Sequence, residues 1–209
     1  MQDFQLEKVN DYLLACHSRD EKLCLRFYIS AYEELNKLFG LLGSLFGFIS
    51  SDVQSKLEIL STYLADSENA TAFSTVSGML RCEKESGKLV DSKYISGSRT
   101  LLRLHRALGF LVDFLERIST LSLSDSLSKV CYLSYRSTLG NYHPQLIRLM
   151  VKGAVYTLSS KKDLLDKINK DNKEEEYYNK LLVEVVKNGR KVYQLTDALY
   201  TFHNLHDLP

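Results

Sequence analysis

The amino-acid sequence predicts an all-α fold, for three reasons. The 209 residues include only two prolines and ten glycines, which favours long helices over a turn-rich β fold. Apolar residues recur at helical spacing in segment after segment. No segment alternates apolar and polar residues in a way that fits a strand better than a helix. A chain of this length suits one domain with a full-sized core, so we expect residues 1–209 to form a single domain.

The first half of the chain is predicted to consist of amphipathic helices. The apolar face of the first helix is marked by Leu6, Val9, Leu13 and Cys16. A second helix is expected from Asp20 to Ile49, and its pattern either continues through Asp52 or restarts there and runs to Leu64. Thr71 to Glu85 is predicted to be helical, and Ser86 to Gly97 is predicted to be a long loop.

The second half of the chain continues as helices joined by short connections. The predicted helices cover Ser98 to Ile118, Ser124 to Leu139, a segment from Gly140 to Leu158, a short helix to Asn169, and Tyr177 to Leu205. We expect Ser159 and Ser160 to cap the short helix, because serine side chains accept hydrogen bonds from the first free N–H groups of a helix. The charged stretch from Lys170 to Glu176 is predicted to be a solvated connector.

One predicted helix carries a stripe of three arginines beside its leucine face. Arg99, Arg103 and Arg106 fall at i, i+4 and i+7, so their like charges lie close together. The first carboxylate after Tyr94 is Asp113, so no acidic residue within the stripe offsets this repulsion. Spacing alone favours a solvated basic face. The alternative is an anion site, because two or three arginines can bind a phosphate through bidentate hydrogen bonds.

Composition and motifs exclude several classes of protein. The net charge of +1 provides no overall attraction for nucleic acid. We find no G-x-G-x-x-G, P-loop, H-E-x-x-H or G-x-S-x-G motif, and the histidines and cysteines lack metal-ligand spacing. We therefore expect no enzyme activity, no cofactor, no metal and no nucleic-acid partner. The acidic N-terminus lacks a secretory signal, and the most apolar run, Leu38 to Ile49, is much shorter than the ~20 residues of a transmembrane helix. The four cysteines form no C-x-x-C pair and are predicted to be reduced core thiols of a cytosolic protein.

Two further stretches contain polar residues at helix surfaces. Asp52 and Lys56 lie at i, i+4, the order that favours an ion pair on a helix, although such a pair contributes only ~0.3–0.5 kcal/mol. His143 precedes Pro144, whose ring restricts the backbone and suits the start of a helix. Taken alone, a histidine at such a position is more often a capping or core residue than a ligand.

Four stretches taken together resemble the glycolipid transfer protein superfamily, and in particular its ceramide-1-phosphate transfer branch. The resemblance covers essentially the whole chain. The stretches that carry it occur in the order of that branch: F-I-S-S-D-V-Q-S-K-L, S-R-T-L-L-R-L-H-R-A-L, Y-H-P and L-Y-T-F-H-N-L-H-D-L-P, the last from Leu199 to Pro209.

This resemblance implies a two-layer sandwich of about eight helices that encloses a sphingolipid. Asp52 would accept hydrogen bonds from the ceramide amide N–H and the nearby hydroxyl, and His143 would donate to the amide carbonyl. Lys56, Arg99 and Arg103 would hold the headgroup. Glycolipid carriers of the family have a Trp at the position of Arg103 and an Asn at that of Lys56, so this chain replaces sugar-binding residues with cations. Arg106 also matches the motif, and we expect it either to support the ligand-binding residues from behind or to have a structural role.

The chemistry of the ligand agrees with this set of residues. A phosphate monoester carries roughly −1.5 to −2 charges near neutral pH, which two guanidinium groups and an ammonium nearly neutralise. The lipid chains require an apolar cleft, because each methylene costs about 0.8 kcal/mol to place in water. The residues predicted to line the cleft or the ordinary core are Phe39, Leu42, Phe46, Ile49, Val53, Leu111, Phe114, Leu115, Leu139, Leu146 and Met150.

One departure from the family concerns membrane docking. Members commonly have Trp directly after the His-Pro pair, whereas this chain has Gln145 there and no Trp at all. Interfacial Tyr and Phe side chains could substitute for it, together with four basic residues: Arg148, Lys152, Lys161 and Lys162. The resemblance thus implies a cytoplasmic monomer that binds ceramide-1-phosphate and associates transiently with membranes such as the Golgi and plasma membranes.

Three alternatives remain at this point. The chain could carry or sense glycosphingolipids within the same fold. It could be a helical module that binds protein partners through the arginine stripe and shows no change in stability with lipid. It could also convert the lipid, as a lipid phosphatase would, and recovery of intact lipid by mass spectrometry would exclude that role.

Overall fold

A computed structural model describes residues 4–17, 22–43, 46–66, 70–169 and 173–209. Within these residues the chain forms nine α-helices, and its only β-type pairings are isolated bridges. The predicted all-α class is therefore confirmed. The helices are α1 (Leu6–His17), α2 (Leu25–Leu42), α3 (Gly47–Ala65), α4 (Val76–Glu85), α5 (Gly97–Ser119), α6 (Leu127–Ser137), α7 (Gln145–Val155), α8 (Lys161–Ile168) and α9 (Glu175–His203).

The long helix predicted from Asp20 to Ile49 is two helices. Its predicted start at Asp20 lies outside the described residues, and α2 begins at Leu25. The helix ends at Leu42 because Gly43 follows with a φ of 121°, a backbone conformation that residues other than glycine rarely adopt. A new helix, α3, then begins at Gly47, so the start predicted at Asp52 was too late and Asp52 lies inside α3.

Several other boundaries moved because capping residues determine where a helix begins. Predicted from Thr71, α4 begins only at Val76, since the side chain of Thr75 accepts a hydrogen bond from Gly78 N. Likewise, α6 begins after Ser126, whose side chain accepts from a backbone N–H. The predicted cap of the short helix is confirmed at Ser160, which forms a capping box with Asp163.

The core is built around α5, which contacts α3, α6 and α9, while α1 packs on α2 and α9. Burying one leucine or phenylalanine stabilises the fold by roughly 1.5–3 kcal/mol, so this central helix anchors the bundle. The predicted leucine face of α5 is at most 2% exposed at every position: Leu101, Leu104, Leu108 and Leu111.

Most of the predicted lining residues lie in the same core. Seven are buried: Phe39, Leu42, Phe46, Val53, Leu111, Phe114 and Leu115. Ile49 and Leu139 are partly buried against them. The prediction was wrong for Leu146 and Met150, which are 69% and 44% exposed on α7. Helical periodicity places both on one face of α7 but does not indicate whether anything covers that face.

The first turn of α5 is held by a buried carboxylate at the end of α4. The Oε1 atom of Glu83 accepts hydrogen bonds from Gly97 N at 2.7 Å and from the Tyr94 hydroxyl at 2.9 Å. The Oε2 atom accepts from the Ser96 hydroxyl at 2.7 Å and from Ser98 N at 2.8 Å. A negative charge at a helix N-terminus also interacts favourably with the helix dipole. We call this group, Glu83 with its four donors, the α5 anchor.

None of the described helices is both long enough and apolar enough to cross a bilayer. All four cysteines are free thiols, as predicted. The prediction that they lie in the core holds for Cys16 and Cys131, whereas Cys24 and Cys82 are only partly buried.

Candidate functional site

Asp52 and Lys56 form an ion pair on the surface of α3. The Lys56 Nζ atom lies 2.5 Å from Asp52 Oδ1, as their i, i+4 spacing predicted. The Asp52 side chain is 69% exposed, whereas that of Lys56 is only 14% exposed. The pair therefore offers a carboxylate at the surface beside a largely covered ammonium. Because the Asp52 carboxylate is exposed to water, this i, i+4 pair contributes only ~0.3–0.5 kcal/mol, and a ligand can separate the two groups at little cost.

His143 lies close enough to this pair to interact with it electrostatically. The residue follows the short turn Leu139–Tyr142 and precedes Pro144, which directly precedes α7. Partial burial lowers the pKa of His143 below its usual value, and the Lys56 ammonium and the Arg148 guanidinium lower it further. The Asp52 carboxylate acts in the opposite direction. Asp52, Lys56 and His143 are thus brought together from α3 and the α6–α7 connection, although 87 residues separate Lys56 from His143 in the sequence.

Two side chains form hydrogen bonds with His143, and its backbone N–H also donates to the Gly140 carbonyl at 3.4 Å. The Tyr135 hydroxyl lies 2.9 Å from His143 Nδ1, and the Arg148 Nε–H donates to the His143 carbonyl at 2.7 Å. His143 Nε2 has no hydrogen-bond partner within the described part of the chain. The ring therefore has one nitrogen bound to the protein and one available to a ligand. Nothing in the sequence pointed to Tyr135, and Arg148 was suggested only for membrane docking, since the spacing of residues does not indicate which side chain contacts a histidine in another element.

Arg103 lies on the exposed side of α5, the helix against which α3 packs. Its guanidinium forms neither a hydrogen bond nor an ion pair with any of the residues that the structure describes. It is a cation that the fold itself does not use. Its N–H groups are therefore available to a ligand as well as to water.

Arg99 is in a different situation, although it lies only one turn earlier on α5. Its Nη1 donates to the carbonyls of Asp91 and Tyr94, both at 3.1 Å, and its Nη2 donates to the carbonyl of Leu89. The guanidinium therefore binds the 86–97 loop to the start of α5. To hold a phosphate as well, Arg99 would have to give up some of these bonds or use its remaining N–H groups.

Arg106 contacts protein groups, in agreement with its predicted structural role. Its guanidinium lies 4.2 Å from the centre of the Tyr142 ring and donates to the carbonyl of His206 at 2.8 Å. These contacts join α5 both to the turn that precedes His143 and to the C-terminal segment. The three arginines of the stripe thus have three different environments.

The exposed surface of α7 combines apolar and basic side chains. Leu146, Leu149 and Met150 are 69%, 67% and 44% exposed. Arg148 and Lys152 lie among them and are also exposed.

The four basic residues suggested for membrane docking are not equivalent. The suggestion was wrong for Lys161, which is 1% exposed and donates to Leu121 O at 2.9 Å and Asn179 Oδ1 at 3.0 Å. A lysine at the first turn of a short helix is usually solvated, and only the tertiary structure covers this one. Lys162 is exposed but lies 2.7 Å from Asp166 Oδ2.

Chemically, Asp52, Lys56 and His143 bring a carboxylate, an ammonium and an imidazole together, and Arg103 adds a cation on α5, the helix that packs against α3. Asp52 can accept, His143 Nε2 can interact with a second polar atom, and Lys56 and Arg103 can bind an anion. Such a set suits a ligand with an amide-like group and an anionic headgroup.

Known proteins share this chain's sequence and fold over nearly its full length. The family model of the glycolipid transfer protein matches residues 24–170. The ceramide-1-phosphate transfer protein of Danio rerio is 36% identical, over 99% of this chain and 98% of that protein. The Homo sapiens ceramide-1-phosphate transfer protein is 34% identical, over 99% of this chain and 97% of that protein.

Two solved structures give the same result in three dimensions. The apo mouse ceramide-1-phosphate transfer protein superposes with a TM-score of 0.91 at 34% identity, over 99% of this chain and 100% of that chain. The human protein in complex with 2:0 ceramide-1-phosphate gives 0.88 at 32% identity, with 100% of both chains covered. A family model that matches residues 24–170, and a 36% identical relative that aligns over 99% of the chain, show the family: the chain belongs to the glycolipid transfer protein family.

Proposed function

We propose that residues 1–209 act as one lipid-transfer domain that moves ceramide-1-phosphate between membranes, and that the chain is a carrier and not an enzyme. The observation that supports this most strongly is the similarity to ceramide-1-phosphate transfer proteins over 99% of the chain. The sequence resemblance further supports it, because it implies that Lys56 and Arg103 stand where glycolipid carriers have Asn and Trp.

In this proposal the ceramide amide lies between Asp52 and His143. The exposed Asp52 carboxylate accepts from the amide N–H, and His143 Nε2 donates to the amide carbonyl. These two atoms suit the roles because neither is used fully by the protein: Asp52 is 69% exposed, and His143 is bound only through Nδ1 and its backbone.

The phosphate is held by Lys56 and Arg103, with Arg99 as a further ligand. Each charge-assisted hydrogen bond to the phosphate contributes about 1.5–3 kcal/mol, which exceeds the ~0.3–0.5 kcal/mol of the Asp52–Lys56 pair that the ligand disrupts. A neutral sugar would leave the cations without partners, and desolvated unpaired charges are costly. The site should therefore prefer the phosphate.

The test is a side-by-side transfer assay between vesicles with ceramide-1-phosphate, galactosylceramide and phosphatidic acid. We expect strong preference for ceramide-1-phosphate and weak competition from phosphatidic acid, which lacks the amide that Asp52 and His143 recognise. Lys56→Ala should remove most transfer, and Asp52→Val should abolish it while the melting temperature is retained. Equal transfer of galactosylceramide would favour the glycosphingolipid carrier, and conversion of the lipid, seen by mass spectrometry, would favour an enzyme.

We also propose that the chain works as a cytoplasmic monomer and meets membranes such as the Golgi and plasma membranes transiently through α7. The exposed Leu146, Leu149 and Met150 would enter the interface, and Arg148 and Lys152 would attract anionic headgroups. This surface would take over the role of the family's Trp, whose position is occupied by Gln145 in this chain.

The matched pair Leu149→Asp and Val183→Asp tests this contact, because Val183 is a similarly exposed apolar residue, on α9 (55% against 67%). Leu149→Asp should reduce binding to vesicles of phosphatidylcholine and phosphatidylserine, while ceramide-1-phosphate still raises the melting temperature. If Val183→Asp has the same effect, or Leu149→Asp has none, α7 is not the docking surface.

A further inference from the structure

Which ring nitrogen of His143 carries the proton matters for any ligand that the residue binds. A neutral imidazole carries one N–H, on either Nδ1 or Nε2, and the hydrogen bond at one nitrogen selects which. Here the Nδ1 atom is 2.9 Å from the Tyr135 hydroxyl. If Tyr135 donates to Nδ1, then Nε2 carries the proton and can donate to a ligand. If Tyr135 accepts from Nδ1–H, then Nε2 is an acceptor.

The surroundings of Tyr135 favour donation. The residue is only 3% exposed, and its hydroxyl has no hydrogen-bond partner other than His143 among the described residues. If this hydroxyl accepted a proton from Nδ1, its own hydrogen would be left without an acceptor, and an unmade hydrogen bond at a buried group costs about 1–3 kcal/mol. Donation to Nδ1 satisfies both groups at once.

The packing keeps Tyr135 from turning away from His143. Its ring meets Phe110 edge-on at 6.4 Å, and the His143 ring lies 5.7 Å from it. The turn before His143 approaches α6 so closely that a Cβ on Gly140 would lie 2.8 Å from the Tyr135 carbonyl. The Arg148 bond to the His143 carbonyl holds the backbone on the other side. The contact between the hydroxyl and Nδ1 is therefore built into the fold and needs no ligand.

We propose that Tyr135 is a positioning residue that fixes His143 as the Nε2–H tautomer, so that the histidine presents a donor to its ligand. This inference rests on the proposed function, in which that ligand atom is the ceramide amide carbonyl. Without the hydroxyl, His143 can carry its proton on Nδ1, and Nε2 would then direct a lone pair at the carbonyl oxygen. Tyr135 thus selects an amide carbonyl as the group recognised, although it does not touch the lipid.

The first measurement needs no lipid. In protein labelled with ¹⁵N-histidine, two-bond ¹⁵N–¹H correlations distinguish an acceptor nitrogen from a protonated one, and a pH above the lowered pKa of His143 keeps the ring neutral. We expect the Nε2–H pattern in the wild type and a mixture of tautomers in Tyr135→Phe. An Nδ1–H pattern in the wild type would overturn the proposal whether or not the protein transfers ceramide-1-phosphate.

The second measurement is transfer of ceramide-1-phosphate. Tyr135→Phe should slow it roughly 5- to 10-fold, since one neutral hydrogen bond is worth about 1 kcal/mol. The control is Tyr132→Phe on the same helix, because the Tyr132 hydroxyl has no hydrogen-bond partner in the described residues. If Tyr135→Phe and Tyr132→Phe transfer at the wild-type rate, the positioning role is wrong.

A double-mutant cycle separates this role from a purely structural one. In a His143→Leu background, Tyr135→Phe should cause no further loss of ceramide-1-phosphate affinity, measured as the lipid-dependent shift of the melting temperature. An equal loss in both backgrounds would show that Tyr135 acts independently of His143. If no variant and no wild-type protein responds to ceramide-1-phosphate, the proposed ligand is wrong, and the tautomer measurement still decides the positioning role.

Discussion

Two regions of this protein use a carboxylate in opposite ways. In the α5 anchor, the Glu83 carboxylate is 1% exposed and accepts four hydrogen bonds from protein donors. In the proposed headgroup cluster, made of Asp52, Lys56, Arg103 and His143, the carboxylate is 69% exposed and has one ion pair. The comparison teaches that hydrogen-bond satisfaction distinguishes a structural charge from one available to a ligand.

The arginine stripe contains this difference within a single helix. Arg99 donates to three loop carbonyls, whereas Arg103 has no protein partner among the residues described. Their side chains leave α5 one turn apart, so helical position alone gives no reason to treat them differently. The loop from residue 86 to 97 makes the difference, because it folds over Arg99 and does not reach Arg103.

The largest expected effect is loss of the α5 anchor. Glu83→Ala leaves the N–H groups of Gly97 and Ser98 and two hydroxyls without partners, so we expect the free energy of unfolding to fall by more than about 3 kcal/mol. Urea denaturation measures this loss. The control is Glu85→Ala, an exposed residue two positions later, which should change stability by less than about 0.5 kcal/mol. Similar effects of both changes would show that the four hydrogen bonds contribute little.

The second prediction compares the two arginines directly. Arg103→Leu should lower ceramide-1-phosphate transfer by about 10- to 100-fold, because one or two charge-assisted bonds are lost, and should leave stability nearly unchanged. Arg99→Leu should lower the free energy of unfolding by about 1–3 kcal/mol, because the loop carbonyls lose their donor, and should slow transfer less than Arg103→Leu does, because Arg99 is only a further ligand of the phosphate. Transfer rates and urea denaturation of both variants measure this contrast. If Arg103→Leu transfers ceramide-1-phosphate at the wild-type rate, Arg103 is not part of the headgroup site.

A smaller effect concerns pH and the buried His105. Its ring is 2% exposed, and burial lowers its pKa from 6.5 to about 4, although a hydrogen bond to Asp197 acts in the opposite direction. Since the unfolded chain binds a proton at a higher pH than the folded chain, this ring stabilises the fold fully above pH ~6.5, and the stabilisation is lost as the pH falls towards 4.

The measurement is urea denaturation of the wild type and of His105→Gln at pH 7 and pH 4.5. We expect the wild type to lose on the order of 2 kcal/mol more than the variant over this interval, because only the wild type must protonate this group on unfolding. Equal losses would mean that burial does not hold His105 neutral in the folded protein.

The sequence alone was sufficient for the all-α class, for the apolar face of the central helix and for the family resemblance. The leucine face of α5 was identified correctly because helical periodicity is a local property, and a face with a leucine at every turn must be covered to be stable in water. The Asp52–Lys56 ion pair could also be predicted from the sequence, since the two residues lie four positions apart on one helix. The helix cap at Ser160 was likewise predictable, because a cap depends on residues that are neighbours in the sequence.

Only the tertiary structure decided which polar groups are satisfied. Lys161 is buried because it meets Leu121 and Asn179, which lie 40 and 18 residues away, and Arg99 is occupied because the loop before it folds back. The Tyr135 hydroxyl reaches His143 only because the turn between α6 and α7 brings the imidazole ring back against α6, the helix that carries Tyr135. Hydrogen-bond partners are chosen by chain topology, and helical periodicity carries no information about them, so the residue types of the site could be predicted but the state of each one could not.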